Sequence, residues 1–206
     1  SALLEAMQER KVTIGNRSYP LPTPFLVIAT QNPIEQSGTF ELPEAQLDRF
    51  MMCNRLEYPT PDQEEEILTR ILGLGLKEDE GGSVAKTSFD VIKDEPVAHI
   101  DTLNAAMAAV QKVYVSEVFI KHCVEVTNRT RNHRHIELGG SPRTGIALVQ
   151  AARARAFLHA REYVIPEDLF ALAEDVILHR IRLNYEALAE GHSGADVLKE
   201  ILESMG

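Results

Sequence analysis

Three polar residues of this chain have the type and setting that phosphate chemistry uses. Asn32 comes just after the apolar run Phe25-Leu26-Val27-Ile28-Ala29, beyond Thr30-Gln31. In open α/β sheets, ligands bind past the carboxyl ends of strands. A side-chain amide there can orient the water that attacks a γ-phosphate. Taken alone, Asn32-Pro33 reads first as the start of a turn. Arg49 closes the short segment Pro43-Glu44-Ala45-Gln46-Leu47-Asp48-Arg49-Phe50. An arginine near a helix C-terminus is favoured by the helix dipole and is usually just solvated. Its planar, permanently charged guanidinium can also pair with phosphate oxygens and offset charge in phosphoryl transfer. Arg143 follows Ser141-Pro142, a capping Ser with Pro at the first helical position. A cation in that first turn faces the positive helix end and is mildly disfavoured, and a bound anion reverses the penalty. A surface ion pair is the simpler account of Arg143 by itself.

The histidines offer less. His133 and His135 flank Arg134, after Arg129 and Arg131. A His-x-His pair can bind a metal, but no Cys or carboxylate at a suitable spacing completes a set, so no metal is assigned. The segment reads as a basic loop. It lacks the interleaved aromatics of a single-strand nucleic-acid platform.

The elements that must carry these residues follow from pattern. The first residues, Ser1-Ala2-Leu3-Leu4-Glu5-Ala6-Met7-Gln8, are strong helix formers with no initiator Met and no signal-peptide pattern, as expected for a chain that begins inside a longer protein. Lys11 to Leu21 reads as a β-hairpin turning at Gly15-Asn16. Phe25–Ala29 predicts a strand buried on both faces of a parallel sheet, and Met51–Leu56 another strand. Thr60-Pro61-Asp62-Gln63 opens a helix to about Leu72 with a capping box. Residues 73–96, Gly-rich and charged, predict a mobile connection, with a short ordered piece at Phe89, Val91 and Ile92. Thereafter the reading is helical: a stripe through Ile100, Leu103, Met107 and Val110; a helix capped by Ser116 through Phe119, Cys123 and Val126; an Ala-rich helix from Ser141-Pro142; one from Pro166 through Leu169, Leu172 and Val176; and a last one from Ser193.

Composition sets the outer bounds. The 206 residues carry 21 Lys+Arg against 31 Asp+Glu, a net charge of −10, which argues against non-specific nucleic-acid binding. No apolar run approaches the roughly 20 residues of a membrane-spanning helix. The two cysteines, Cys53 and Cys123, form no CxxC pair, which fits a reducing cytoplasm better than a disulfide framework.

The stretches Ser1 to Arg10, Ala29-Thr30-Gln31-Asn32-Pro33-Ile34-Glu35-Gln36 and Leu42 to Phe50, with the later Gly139-Gly140-Ser141-Pro142-Arg143, resemble the MoxR branch of the AAA+ ATPases. The resemblance implies an α/β partial AAA+ core followed by an all-α lid: residues 1–58 the later part of the nucleotide-binding core, 59–98 a helix leading to the lid plus the charged connection, and 99–206 the lid. It implies that Asn32 is sensor 1, Arg49 an arginine finger acting on nucleotide in a neighbouring subunit, and Arg143 the lid arginine called sensor 2. It further implies Mg-ATP, a homo-oligomeric ring such as a hexamer, chaperone-like remodelling, metalloenzyme maturation or complex assembly, a protein client and a partner with a von Willebrand A domain. No GxxxxGK[ST] phosphate loop occurs in the chain, and its two Asp-Glu pairs, Asp79-Glu80 and Asp94-Glu95, do not end an apolar strand. The chain alone is therefore expected to be inactive. Two alternatives stay open: a DNA-linked AAA+ motor or loader, and a non-catalytic interaction module. A hairpin before sensor 1 in related proteins faces the ring pore or a partner, so Lys11 and Arg17 are candidates for client contact.

Overall fold

A computed structural model describes residues 6–7, 9–31, 42–79, 81–92 and 96–205. They fall into two compact units, one of residues 1–54 with 104–206, the other of residues 55–103. Among the described residues, no helix is long and apolar enough to cross a membrane.

The first helix of the smaller unit is α2 (Pro61–Leu72), which follows α1 (Glu44–Leu47) of the larger unit in the chain. Thr60 caps α2 as its sequence dictates: its Oγ1 accepts from the Gln63 N–H, and the Gln63 Oε1 accepts from the Thr60 N–H at 2.9 Å. The expected mobile connection is instead a local antiparallel hairpin, β3 (Leu76–Asp79) with β4 (Gly82–Ala85), followed by a 3-10 turn at Ser88–Val91. An ion pair between Lys77 and Asp90 ties strand to turn. Lys77 and the Thr87 N–H and hydroxyl hold the Asp90 carboxyl down to about 2. Four-residue strands paired only with each other need no apolar alternation, so periodicity missed them.

In the larger unit, β1 (Lys11–Ile14) and β2 (Arg17–Pro20) form the expected hairpin around Gly15, whose φ of +61° suits the turn. The two expected core strands do not form. Residues 25–30 join no ladder among the described residues, and Leu26 and Ile28 are exposed. A strand buried on both faces needs neighbours at both edges and layers above and below. Apolar content specifies the need for those neighbours and cannot supply them. Residues 51–56 are also not a strand: the Cys53 N–H donates to the Asp175 carbonyl at 2.8 Å, so this donor is satisfied by the helical bundle rather than by a sheet.

That bundle comprises α3 (Ile100–Lys112, begun in the smaller unit), α4 (Glu117–Asn132), α5 (Pro142–Leu158), α6 (Pro166–Ile177), α7 (Tyr185–Ala189) and α8 (Gly194–Glu203). A two-strand pair, β5 (Ile136–Leu138) with β6 (Arg182–Leu183), closes one end. Phe119, Cys123 and Val126 of α4 meet Leu148 and the alanines 147, 151, 152 and 156 of α5, which in turn pack on Leu169, Leu172, Val176 and Ile177 of α6. Val197, Leu198 and Ile201 of α8 complete the core. The alanine stripe of α5 lets its neighbours approach closely. Each fully buried Leu, Ile or Phe contributes about 1.5–3 kcal/mol before entropy. The α3 stripe departs from expectation: Ile100, Leu103 and Met107 are exposed. Helical spacing fixes which face is apolar and leaves open whether anything covers it. Asp168 caps α6 from inside the bundle, accepting from the Ile165 N–H at 3.0 Å and from both Arg161 terminal nitrogens at 2.8 and 2.6 Å.

Candidate functional site

The site is assembled where the α4–α5 connection meets the end of α1. Gly139 and Gly140 make this approach feasible. A Cβ on Gly139 would lie 2.6 Å from the Arg131 Cα, and one on Gly140 2.6 Å from the Thr144 Oγ1. The Gly140 N–H donates to the Thr130 Oγ1 at 2.9 Å, and its carbonyl accepts from the Arg131 Nε at 2.7 Å. The loop is thus pinned against α4, and Ser141 is delivered as the N-cap of α5, its Oγ accepting from the Arg143 N–H at 3.1 Å. Arg143 lies in the first turn of α5 with its side chain about half exposed.

Asp48 stands at the centre. It follows α1 directly, at a helix C-terminus where a carboxylate is disfavoured by the dipole. Its location is explained by what surrounds it. The Ser141 hydroxyl lies 2.9 and 2.8 Å from its two oxygens, the Arg143 Nη1 3.3 Å from Oδ2, and the Arg180 Nε 3.3 Å from Oδ1. The anion expected at the N-terminus of α5 is therefore, in this structure, a carboxylate of the chain itself. Arg180 is sealed, its side chain 2% exposed, and also donates to the carbonyls of Phe50 at 2.5 Å, Met51 at 3.1 Å and Val176. Burial pushes the Arg180 guanidinium down, and the Asp48 charge opposes that shift. The neighbouring His179 ring donates from Nε2 to the Phe50 carbonyl at 3.1 Å, and burial, reinforced by Arg180, lowers its pKa.

Arg49 points elsewhere. It is partly exposed, and its Nε donates to the Ala45 carbonyl at 3.2 Å. Among the described residues it has no carboxylate partner within salt-bridge distance. Its terminal guanidinium nitrogens stay available to an anion. Asn32 lies outside the described residues, so its placement does not enter the site. Of the two predicted arginines, Arg143 contacts Asp48, whereas the Arg49 side chain turns back to the Ala45 carbonyl. Pattern reading passed over Asp48 and Arg180. A carboxylate placed against the dipole at the end of α1, and an arginine four residues past Val176 in an apolar helical register, were the signals that could have flagged them.

Chemically, the arrangement offers two cations of unequal commitment beside a carboxylate that a buried arginine locks in place. Arg143 has one ion-pair contact at the edge of hydrogen-bonding range and can exchange it for another anion. Arg180 cannot follow without leaving the core. No residue of this cluster supplies the oxygen ligands of a hard divalent cation except Asp48, which is already saturated by Ser141 and two arginines.

Two segments of the chain match known families, and its whole length is similar to known proteins. Residues 1–52 match the ATPase family associated with various cellular activities (AAA), and residues 128–201 match the AAA lid domain. The chain is 38% identical over 205 residues to the chaperone MoxR1 of Mycobacterium tuberculosis, covering all of this chain and 52% of that protein. It is 39% identical over 205 residues to an uncharacterized protein, YeaC, of Bacillus subtilis, covering 60% of it. A crystal structure from Cytophaga hutchinsonii, described as a candidate ATPase, superposes with a TM-score of 0.83 at 39% identity, over 98% of this chain and 59% of that one. The chain spans between about half and three fifths of the length of these relatives. With a partial AAA+ core of small sheets followed in the chain by an AAA lid, it is similar along its whole length to the MoxR-type AAA+ ATPases.

Proposed function

We propose that this chain supplies the phosphate-sensing and intersubunit part of an ATPase that, as a whole protein, binds and hydrolyses Mg-ATP within a closed cytoplasmic ring, a hexamer, and uses the cycle for chaperone-like remodelling. A protein client and a von Willebrand A-domain partner belong to the same reading, as does maturation of a metalloenzyme. The observation that carries it is Arg143: a half-exposed cation in the first turn of α5, held by a single 3.3 Å contact to Asp48. A nucleotide phosphate arriving at that turn replaces the contact, and the lid responds because α5 is rigidly packed in the bundle. Arg49 reaches the phosphate of a neighbouring subunit, where its guanidinium offsets charge that develops in the transition state. Asn32 orients the attacking water. Both arginines fit phosphate oxygens. Nothing in the cluster fits Mg²⁺, so the ion's ligands are assigned to no residue here.

The test uses the whole protein. Arg49→Ala should leave ATP binding nearly intact and lower turnover strongly, since fingers of this type are worth about 10³–10⁵ in rate in other NTPases. Mixing it with a subunit that retains Arg49 but lacks a working phosphate loop should restore part of the activity through mixed interfaces. Unchanged turnover in Arg49→Ala would reduce the residue to a surface charge. Absence of rescue between subunits shown to exchange would count against action in trans.

A further inference from the structure

The lid carries a second cluster that nucleotide chemistry does not use. His135 immediately precedes β5, Glu190 is the C-cap of α7, and His192 follows Gly191. Gly191 has a φ of +82°, which turns the chain back so that the His192 N–H donates to the Ala187 carbonyl at 3.0 Å. The far end of α7 is anchored to the same place: Asn184, its N-cap, donates its N–H to the His135 carbonyl at 3.0 Å. Both ends of one short helix are thereby tied beside one histidine.

We propose that His135, Glu190 and His192 form a binding site for one divalent transition-metal ion of the zinc class. The Nε2 atoms of His192 and His135 lie 3.3 and 3.8 Å from the Glu190 Oε2. The rings of His135 and His192 are tilted by 33° with centroids 4.4 Å apart, and the three ligand atoms all lie within 4.8 Å of one another. Tetrahedral zinc, with bonds of about 2.0–2.2 Å, holds its ligand atoms about 3.3–3.6 Å apart. The His192–Glu190 edge already has that length and the His135–Glu190 edge is close to it.

His135 supplies an independent reason to look for a ligand. Its side chain is 7% exposed, yet neither ring nitrogen has a hydrogen-bond partner among the described residues: Nδ1 is sealed without one, and Nε2 stops 3.8 Å from the carboxylate. Buried imidazoles ordinarily have such partners. A metal ion between His135, Glu190 and His192 would use the Nε2 lone pair. Glu190 and His192 are the solvent-facing ligands, which leaves an entry path and a fourth position for water. Two neutral imidazoles with one carboxylate suit Zn²⁺, Co²⁺ or Ni²⁺ and not Ca²⁺ or Mg²⁺, which require mostly oxygen. His133 stands outside the set: its Nδ1 accepts from the His135 N–H at 3.3 Å and its Nε2 faces Glu200 at 3.7 Å. The sequence spacing around His133 and His135 contained no third ligand; the fold brings two more in from beyond α7.

The full chain, stripped of metal by chelation, is titrated with Zn²⁺ by calorimetry and with Co²⁺ by visible absorption. The expected result is one equivalent bound per chain, a tetrahedral Co²⁺ spectrum, and a rise in melting temperature with Zn²⁺. His192→Ala and Glu190→Gln, both at the surface, should melt like the parent without metal. Each should weaken Zn²⁺ binding at least tenfold and abolish the metal-dependent rise. His159→Ala, an exposed histidine elsewhere in the bundle, should change neither. No stoichiometric binding by the parent, or equal binding by the two ligand variants, overturns the proposal.

Discussion

Replacing Asp48 by Ala removes the only carboxylate that faces Arg180 among the described residues. Breaking a buried pair by deleting one partner costs about 3–5 kcal/mol, because a charge is left in the interior. Two features of this pair moderate the loss. Arg180 keeps its bonds to the Phe50, Met51 and Val176 carbonyls, and Asp48 is 14% exposed, so water can enter where the carboxylate was. The Nε–Oδ1 contact is also single and 3.3 Å long, not a bidentate fork. A loss of about 2–4 kcal/mol follows. For a domain of this size each kcal/mol moves the melting temperature by about 2–4 °C, which places the drop at roughly 5–15 °C. Circular dichroism melts and urea titrations measure it. Arg143→Ala is the control: half exposed and held by one contact, it should cost under about 1 kcal/mol. Adding Arg180→Met to Asp48→Ala should recover part of the loss, since a buried pair replaced by apolar groups is often nearly neutral. If Asp48→Ala costs no more than Arg143→Ala, the carboxylate is not compensating a buried charge and the account of this site fails.

Three further outcomes follow from the same structure. Burial raises the pKa of Asp168, but Arg161, the Ile165 N–H and Arg155 outweigh it and hold the carboxyl below its ordinary value. Its contribution is therefore complete above about pH 4, the unfolded value, and disappears as pH falls through the folded one; Asp168→Asn should flatten acid unfolding, and an unchanged acid slope would contradict this. Cys53 is exposed, while burial pushes the Cys123 thiol up to about 12. A thiol reagent should modify Cys53 in the native chain and reach Cys123 only on unfolding; rapid loss of both native thiols would count against the packing of α4. Gly139→Ala should destabilise by about 1–3 kcal/mol, because the new Cβ meets Arg131 backbone. Gly145→Ala, within α5 with nothing nearer than 4.0 Å, should stabilise by about 0.5–1 kcal/mol. Reversal of those signs in a denaturant titration would show that the α4–α5 connection is not fixed as described.

Local chemistry made much of this protein legible before any fold was known. Thr60, Ser116, Ser141 and Ser193 each cap the helix that their side chains announce, because a cap bond spans only two or three residues. The Gly15-Asn16 turn and the first-turn position of Arg143 are decided at the same short range. The apolar run at residues 25–29 shows the opposite case: its composition demands a buried strand, yet burial depends on partners that a run of residues cannot specify. Which residue faces Arg143 was likewise beyond pattern, since Asp48 and Arg180 meet through contacts between distant segments, and so was the assembly of His135 with Glu190 and His192. Caps and turns are short-range hydrogen-bond problems that the sequence solves alone, whereas charge pairing and ligand sets depend on which distant side chains the packed core brings within a few ångströms.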